Sequence, residues 1–278
     1  MQTRNDLELD AFYSVIAPFY DQDYAGILEG KDVAFYLQLA EAAGGPVIEM
    51  GCGTGRVLIP LARAGITIHG MDSSQAMLDQ LHASLESETA ETRSRVSLTH
   101  GDIRSTDVGR RFALVTAPAN VPHSFLERHE QRAWLANARR HLAPGGALCF
   151  DVFQPNFQIM LLPPDEWFLD ADRFDARTGH RVRRFHRCEH ELEFQRFRVE
   201  MRWVEEDTAG QTLSETSSSI MQRWFTRGEL ELLLELEGFH ITDYWGNFAG
   251  EPFGAGATHQ IIRAAGPRVS AVPGSQSP

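Results

Sequence analysis

The sequence predicts an α/β protein: a doubly wound, seven-stranded, mostly parallel sheet that carries a small inserted antiparallel sheet. Three observations lead there. Short apolar runs alternate with helix-length amphipathic stretches between residues 47 and 153, the rhythm of right-handed crossovers. A glycine-rich turn, Gly51, Gly53 and Gly55, follows the first of these runs. From residue 181 to about 225 the apolar period changes from helical to two.

The elements follow in order. Leu9, Phe12, Tyr13, Ile16 and Phe19 recur at helical spacing, and Pro18 tends to close that run. Phe35, Leu39 and Ala42 predict a second helix over 32–43, stopped by Gly44-Gly45-Pro46. VIEM (47–50) is a buried strand, followed by a helix-like run over 56–64 and a second strand, ITIHGM (66–71). Met77, Leu78 and Leu81 share the face of a helix over 74–85, with Ser73 or Ser74 as its N-cap. Residues 86–95 are polar and read as a solvated helix end or loop. VSLTH (96–100), FALVTA (112–117) and ALCFDVF (147–153) are strands three to five; a helix over 127–142 precedes the last and ends at Pro144-Gly145-Gly146.

After Pro155 the chain reads as irregular to about Asp175. Val182, Arg184, His186, Cys188, His190, Leu192 and Phe194 then alternate in one phase, and Phe197, Val199, Met201 and Trp203 in the other. The slip at Gln195-Arg196 predicts a bulge or bend. Gly210 marks a turn, 212–225 is strand-like, and 227–237 is helical with Gly238 as its C-cap. FHITDYW (239–245) and THQIIRAA (258–265) complete the sheet, and the Pro-, Gly- and Ser-rich end, 266–278, is expected to be a disordered tail.

Composition narrows the class. The 278 residues suit one enlarged α/β domain, and 42% hydrophobic with 23% charged residues can build a core. The net charge of −12 disfavours an indiscriminate grip on nucleic-acid backbone. Cys52, Cys149 and Cys188 are too few and scattered for a disulfide scaffold. With no signal peptide at the start and no membrane-length apolar run, a cytoplasmic location and no membrane association are expected.

The strongest local signal is VIEMGCGTGR (47–56), where Glu49, Gly51, Gly53 and Gly55 stand two residues apart at the end of strand one. Glycines there allow positive φ and close approach of the backbone to a ligand. Asp72, in GMDSSQ, lies 21 residues after Gly51, where an acid accepts ribose hydroxyls. The G-x-G-x-G spacing differs from that of dinucleotide folds, and the Glu49 carboxylate would repel a pyrophosphate but attract a cation. Charge therefore points to an adenosine carrying an amino acid.

On these residues the chain resembles the class I S-adenosylmethionine-dependent methyltransferases over about 31–265, most strongly over 46–153, with their Rossmann-like fold. The resemblance implies S-adenosylmethionine as cofactor, S-adenosylhomocysteine as product and no metal. It places the methionine part beside Glu49, Gly51, Gly53 and Gly55, the ribose on Asp72, and the adenine region near Ser73, Met77, Asp102 and Ile103, with Ala117 and Pro118 as the opposite wall. It also makes residues 1–45 a helical lid ahead of a methyltransferase domain at 46–265, with an inserted subdomain at about 156–226.

Candidates for the acceptor side lie in APANVPHSF (117–125): Asn120 as an orienting amide and His123 as a base. The Asn/Asp-Pro-Pro-Tyr motif of many nucleic-acid and protein amino-methylating members is replaced here by AlaProAlaAsn. In the aromatic segment 11–24, Tyr13, Tyr20 and Tyr24 match a lid tyrosine, with Tyr20 also a candidate base. Arg223 and Trp224 are the insert's candidates for substrate contact, and the insert is equally placed to build a homodimer contact. The reading is methyl transfer to N or O of a small molecule; an RNA or protein methyltransferase and a non-catalytic binding subunit are the alternatives.

Overall fold

The computed structural model describes residues 4–25, 30–161, 163–175 and 178–266. Three helices lead: α1 (Arg4–Ile16), α2 (Tyr20–Ala25) and α3 (Lys31–Ala43). The alternating core then runs β1 (Val47–Met50), α4 (Leu58–Arg63), β2 (Ile68–Asp72), α5 (Gln75–Glu86), α6 (Ala90–Ser94), β3 (Val96–His100), β4 (Phe112–Ala117), α7 (Arg128–His141) and β5 (Leu142–Phe153). Four strands follow, β6 (Phe168–Phe174), β7 (Arg181–Glu191), β8 (Arg196–Glu206) and β9 (Thr212–Arg223), before α8 (Arg227–Leu236), β10 (His240–Trp245) and β11 (His259–Ala265). The tail expected from residue 266 onward lies, from 267, outside the described residues.

The main sheet has the order β10-β11-β5-β4-β1-β2-β3, and only β11 runs antiparallel to its neighbours. Its inner strand β1 is buried throughout, as a strand covered by helices on both faces must be. Two apolar layers flank it. One gathers Trp134, Leu135, Phe150, Phe225 and Leu234; the other gathers Tyr36, Leu58, Leu61, Leu81 and Ile261.

The inserted sheet is β6-β7-β8-β9, antiparallel throughout. The slip at residues 195–196 is a chain reversal, not a bulge: a 3-10 turn at Leu192–Phe194 and Gln195 at φ 55 join β7 to β8 as a hairpin. Folding back superposes the two phases. Arg184 pairs with Trp203, His186 with Met201 and Cys188 with Val199, so both sets share one face. The stretch expected to be irregular contains a strand, β6, whose pairing with β7 was hidden by its charged sequence FLDADRF. Likewise the polar segment before β3 holds the short helix α6, capped by the Thr89 hydroxyl.

The inner face of the insert packs on the amino-terminal helices. Phe12 and Ile16 of α1 join Met77 of α5 and Val199, Trp203, Ile220 and Trp224 in a third apolar cluster. Each such side chain fully buried contributes on the order of 1.5–3 kcal/mol. The insert and α1 thereby form a roof over one end of the main sheet.

Candidate active site

Strands β1 and β4 are adjacent where the strand order reverses, the place at which open α/β sheets bind ligands beyond the strands' carboxyl ends. Two cavities meet there, of about 600 Å³ and about 210 Å³. Tyr13, Tyr20 and Ala119 line both.

The larger cavity is framed by the glycine turn. Gly51 (φ +79) and Gly53 (φ +52) line it, and a Cβ on Gly51 would come within 2.7 Å of Val121. Asp72 ends β2; its carboxylate accepts the amides of Gly53 (2.7 Å) and Ser74 (2.9 Å), fixing the turn to the next helix start. Burial raises the Asp72 carboxyl, and those amides hold it back. Ser73, Met77, Asp102 and Ile103 line the same cavity. Asp102 is gripped by Arg104 (2.8 Å), which also reaches Asp6 of α1 (2.6 Å) and Glu130 (2.7 Å).

Glu49 is 3% exposed, and its Oε2 has no hydrogen-bond donor. Burial pushes its carboxyl up to about 8 against the pull of Arg56, whose guanidinium is engaged by Asp32 at 2.6 Å.

Three residues expected at this cavity, Glu49, Gly55 and Ala117, do not line it; Glu49 lies within β1, two residues before Gly51. Gly55 is packed inside, its hydrogen face against Leu81 and Ile59. Ala117 is wholly buried within β4; Pro118 and Ala119, one and two residues on, line the larger cavity.

The helix α2 closes both cavities. Asp21 accepts the Thr54 hydroxyl at 2.5 Å, tying it to the glycine turn. Asp23 accepts Trp203 Nε1 at 2.8 Å and pairs with Arg173 (3.2 Å) and Arg184 (3.3 Å) of the insert. Between them Tyr20 stacks on Tyr24 with ring centroids 4.5 Å apart. Burial raises the phenols of Tyr13, Tyr20 and Tyr24, so all three are neutral donors at physiological pH.

The smaller cavity holds Asn120 and His123 from the loop after β4. His123 is 1% exposed, stands edge-on to Phe153 at 4.2 Å, and neither ring nitrogen has a partner. Burial lowers it to about 3, so it is an uncharged imidazole with little basicity. Asn120 Oδ1 accepts the Phe153 amide at 2.7 Å.

The insert contributes Arg184, Met201, Trp203 and Gln222, which sequence reasoning did not select. Arg223 and Trp224 do not line the cavity. On β9 residue 222 faces inward, so Arg223 points away and binds Glu229 (2.5 Å) and Gln195 (3.1 Å), while Trp224 packs edge-on against Phe157. The alternation that put Arg184, Met201 and Trp203 on shared phases was the available signal; the hairpin was needed to see that the phases coincide. Other insert arginines are paired across strands, Arg183 with Glu206 and Arg187 with Glu200 (2.7 Å), and not arrayed as a bare cationic surface. Among the described residues no group of three or more His, Cys, Asp or Glu is arranged to hold a metal ion, and no helix is long and apolar enough to cross a membrane.

Comparison with known proteins agrees with this geometry. A family model described as a methyltransferase domain matches residues 47–146. The chain is 27% identical to a cypemycin N-terminal methyltransferase from a Streptomyces species, over 79% of this chain and 82% of the relative. It is 27% identical to a dTDP-3-amino-3,4,6-trideoxy-alpha-D-glucopyranose N,N-dimethyltransferase from Streptomyces venezuelae, over 58% of this chain and 62% of that protein. The solved structure of the CcbJ methyltransferase from Streptomyces caelestis superposes with a TM-score of 0.77 at 24% identity, covering 92% of this chain and 98% of the other.

Proposed function

Because the chain belongs to the class I S-adenosylmethionine-dependent methyltransferases, we propose that it methylates the nitrogen of a small-molecule amine bound in the 210 Å³ cavity. The observation that carries the choice of nitrogen is the want of a base. Among the residues lining that cavity, His123 is lowered to about 3, the tyrosine phenols are raised, and Asp23 is held by Trp203 and two arginines. An alcohol needs its proton removed as it attacks; a neutral amine does not. The names of the two relatives, an N-terminal methyltransferase and an N,N-dimethyltransferase, support the same reading.

The residues present fit the cofactor. The larger cavity lies within the range of about 300–1,000 Å³ typical of ligand sites. Gly51 and Gly53 line the cavity without side chains, Asp72 offers its remaining lone pairs to ribose hydroxyls, and the buried Glu49 carboxyl, whose Oε2 has no partner, stands in β1 just before the glycine turn, outside the lining itself. S-adenosylmethionine supplies an electrophilic methyl group on a sulfonium sulfur. With that methyl group in place, a neutral amine in the smaller cavity would need only its free lone pair directed at it, and no residue of the chain would have to remove a proton first. Tyr13, Tyr20 and Ala119, which line both cavities, stand at their junction and would position donor and acceptor relative to each other. Phe12, Phe153 and Trp203 exclude water, and aromatic faces favour the developing positive nitrogen by about 0.5–2 kcal/mol.

The test is a panel of matched acceptors on one carbon skeleton: cyclohexylamine with cyclohexanol, an aminohexose with its hexose, and a free with an acetylated peptide amino terminus. Amines are expected to yield S-adenosylhomocysteine and their alcohol or blocked counterparts none; turnover of an alcohol at a comparable rate overturns the nitrogen assignment.

Glu49 supplies an independent check on the cofactor side. Its folded-state value of about 8 lies above the ordinary 4.5, so its contribution to stability is full below about 4.5 and lost as pH rises through 8. A bound cationic amino group favours the ionised carboxylate. S-adenosylhomocysteine is therefore expected to raise the melting temperature more at pH 8.5 than at pH 6, and Glu49→Gln to remove that difference. An equal rise at both pH values in the native protein contradicts the pairing.

A further inference from the structure

The loop that separates the two cavities is held in a costly conformation. Ala119 (φ 61) and Asn120 (φ 64) are consecutive non-glycine residues in the left-handed region, which is unfavourable for a side chain such as that of alanine. From that kink the chain sends Val121 against Gly51 in the larger cavity and His123 into the smaller one. One buried group receives the amides that the kink turns inward. Asp151 of β5, 1% exposed, accepts the Ala119 amide on Oδ1 (3.1 Å) and the Asn120 amide on Oδ2 (3.3 Å). Its Oδ1 also accepts the hydroxyl of Tyr36 from α3 at 2.6 Å. The carboxylate touches neither cavity and acts only through the loop.

We propose that Asp151 is a positioning residue for methyl transfer, its ionised carboxylate holding the Ala119–Asn120 kink that aligns the acceptor with the methyl group. Hydrogen bonds to a charged acceptor are stronger than those to a neutral one, and two of them offset the left-handed cost. A protonated Asp151 is a weaker acceptor on both oxygens and carries an O–H that itself needs a partner, so the two amides are held less firmly. The groups facing it are Tyr36 and, farther off, Asp32 from α3, with Cys149 two residues back on its own strand; its cross-strand partner on β11 is the apolar Ile261. Burial raises the carboxyl to about 6, while the Tyr36 hydroxyl and the two amides lower it. The kink is therefore firm above that pH and released below it.

The experiment has two readouts, and only the second rests on the amine reading. Hydrogen exchange of residues 117–125 is followed from pH 5 to 8 in the S-adenosylhomocysteine-saturated protein and corrected for intrinsic exchange. Protection is expected to fall with a midpoint near 6. Tyr36→Phe removes a bond that favours the ionised form, so the midpoint should move upward by about half a pH unit or more. Asp151→Asn should show low protection at every pH. Turnover of the fastest amine of the panel should fall roughly thirtyfold in Asp151→Asn, since misplacement of about 1 Å costs up to about a hundredfold. Turnover is read at saturating S-adenosylmethionine, because Ala119 and Val121 of the same loop line the larger cavity and a weaker cofactor affinity must not be counted as lost turnover. The acid limb that belongs to the amine itself persists in all variants; only the part that shifts in Tyr36→Phe belongs to Asp151. Unchanged protection and midpoint in Tyr36→Phe overturn the proposal even if Asp151→Asn does not fold. If no amine reacts, the exchange readout still decides the role of Asp151.

Discussion

Asp72→Ala is expected to weaken S-adenosylhomocysteine binding about a hundredfold by isothermal titration. The carboxylate does two jobs at once. It holds the Gly53 amide at 2.7 Å and the Ser74 amide at 2.9 Å, and its other lone pairs face the larger cavity, where it is a lining residue. Hydrogen bonds to a charged group contribute about 1.5–3 kcal/mol each, so losing those to the ligand alone accounts for the predicted loss. Asp72→Asn keeps only half of the first job, because its single amide oxygen can accept from Gly53 or from Ser74 while its NH₂ can accept neither the other amide nor a hydroxyl. It should bind about tenfold more weakly than the native protein and melt at a lower temperature, between the native protein and Asp72→Ala. An Asp72→Ala protein that is folded and binds within threefold of native would remove Asp72 from the ribose role.

Gly55→Ala should produce the largest loss of stability from a single methyl group. The position has φ +84, and a Cβ would overlap Leu81 Cδ1 and stand 3.2 Å from Ile59. Leu81 is wholly buried and cannot swing out. The left-handed backbone costs about 1–2 kcal/mol and the overpacking about 1–3 kcal/mol. For a chain of this size a loss of about 3 kcal/mol lowers the melting temperature by roughly 6–12 °C. Gly53→Ala is the control: its φ is also positive but nothing lies within 4 Å of the added methyl, so only the backbone cost remains. Equal melting temperatures for the two variants would show that packing at residue 55 is slack.

The contrast between these glycines shows how far a motif carries. All three glycines of the turn were recognisable from their spacing, and all three have positive φ. Their neighbours were not recognisable. Gly51 makes room for Val121, Gly53 faces open space, and Gly55 makes room for Leu81, because each neighbour arrives from a different part of the chain. The same division runs through the acceptor side. Asn120 and His123 were found because the loop after β4 borders the crevice in any sheet of this order. Arg223 was chosen over Gln222 because arginine is the more conspicuous residue; strand parity, set by pairing with β8, turned the cavity side of β9 to Gln222.

What the sequence determined by itself was local and repetitive: the helix and strand periods, the glycine turn with Asp72 at its proper distance, and the interruption by an antiparallel insert. These are legible because hydrophobic period and backbone freedom are properties of neighbouring residues. Only the tertiary structure decided that the slip at 195–196 is a hairpin, that α2 joins the glycine turn to the insert through Asp21 and Asp23, and that Asp151 lies beneath the kink at 119–120. Those decisions belong to the fold because they depend on which distant groups are buried together. Burial also settles charge: Glu49, Asp151 and His123 are ordinary titrating residues in the sequence, and their desolvation in the folded chain is what moves them to about 8, 6 and 3.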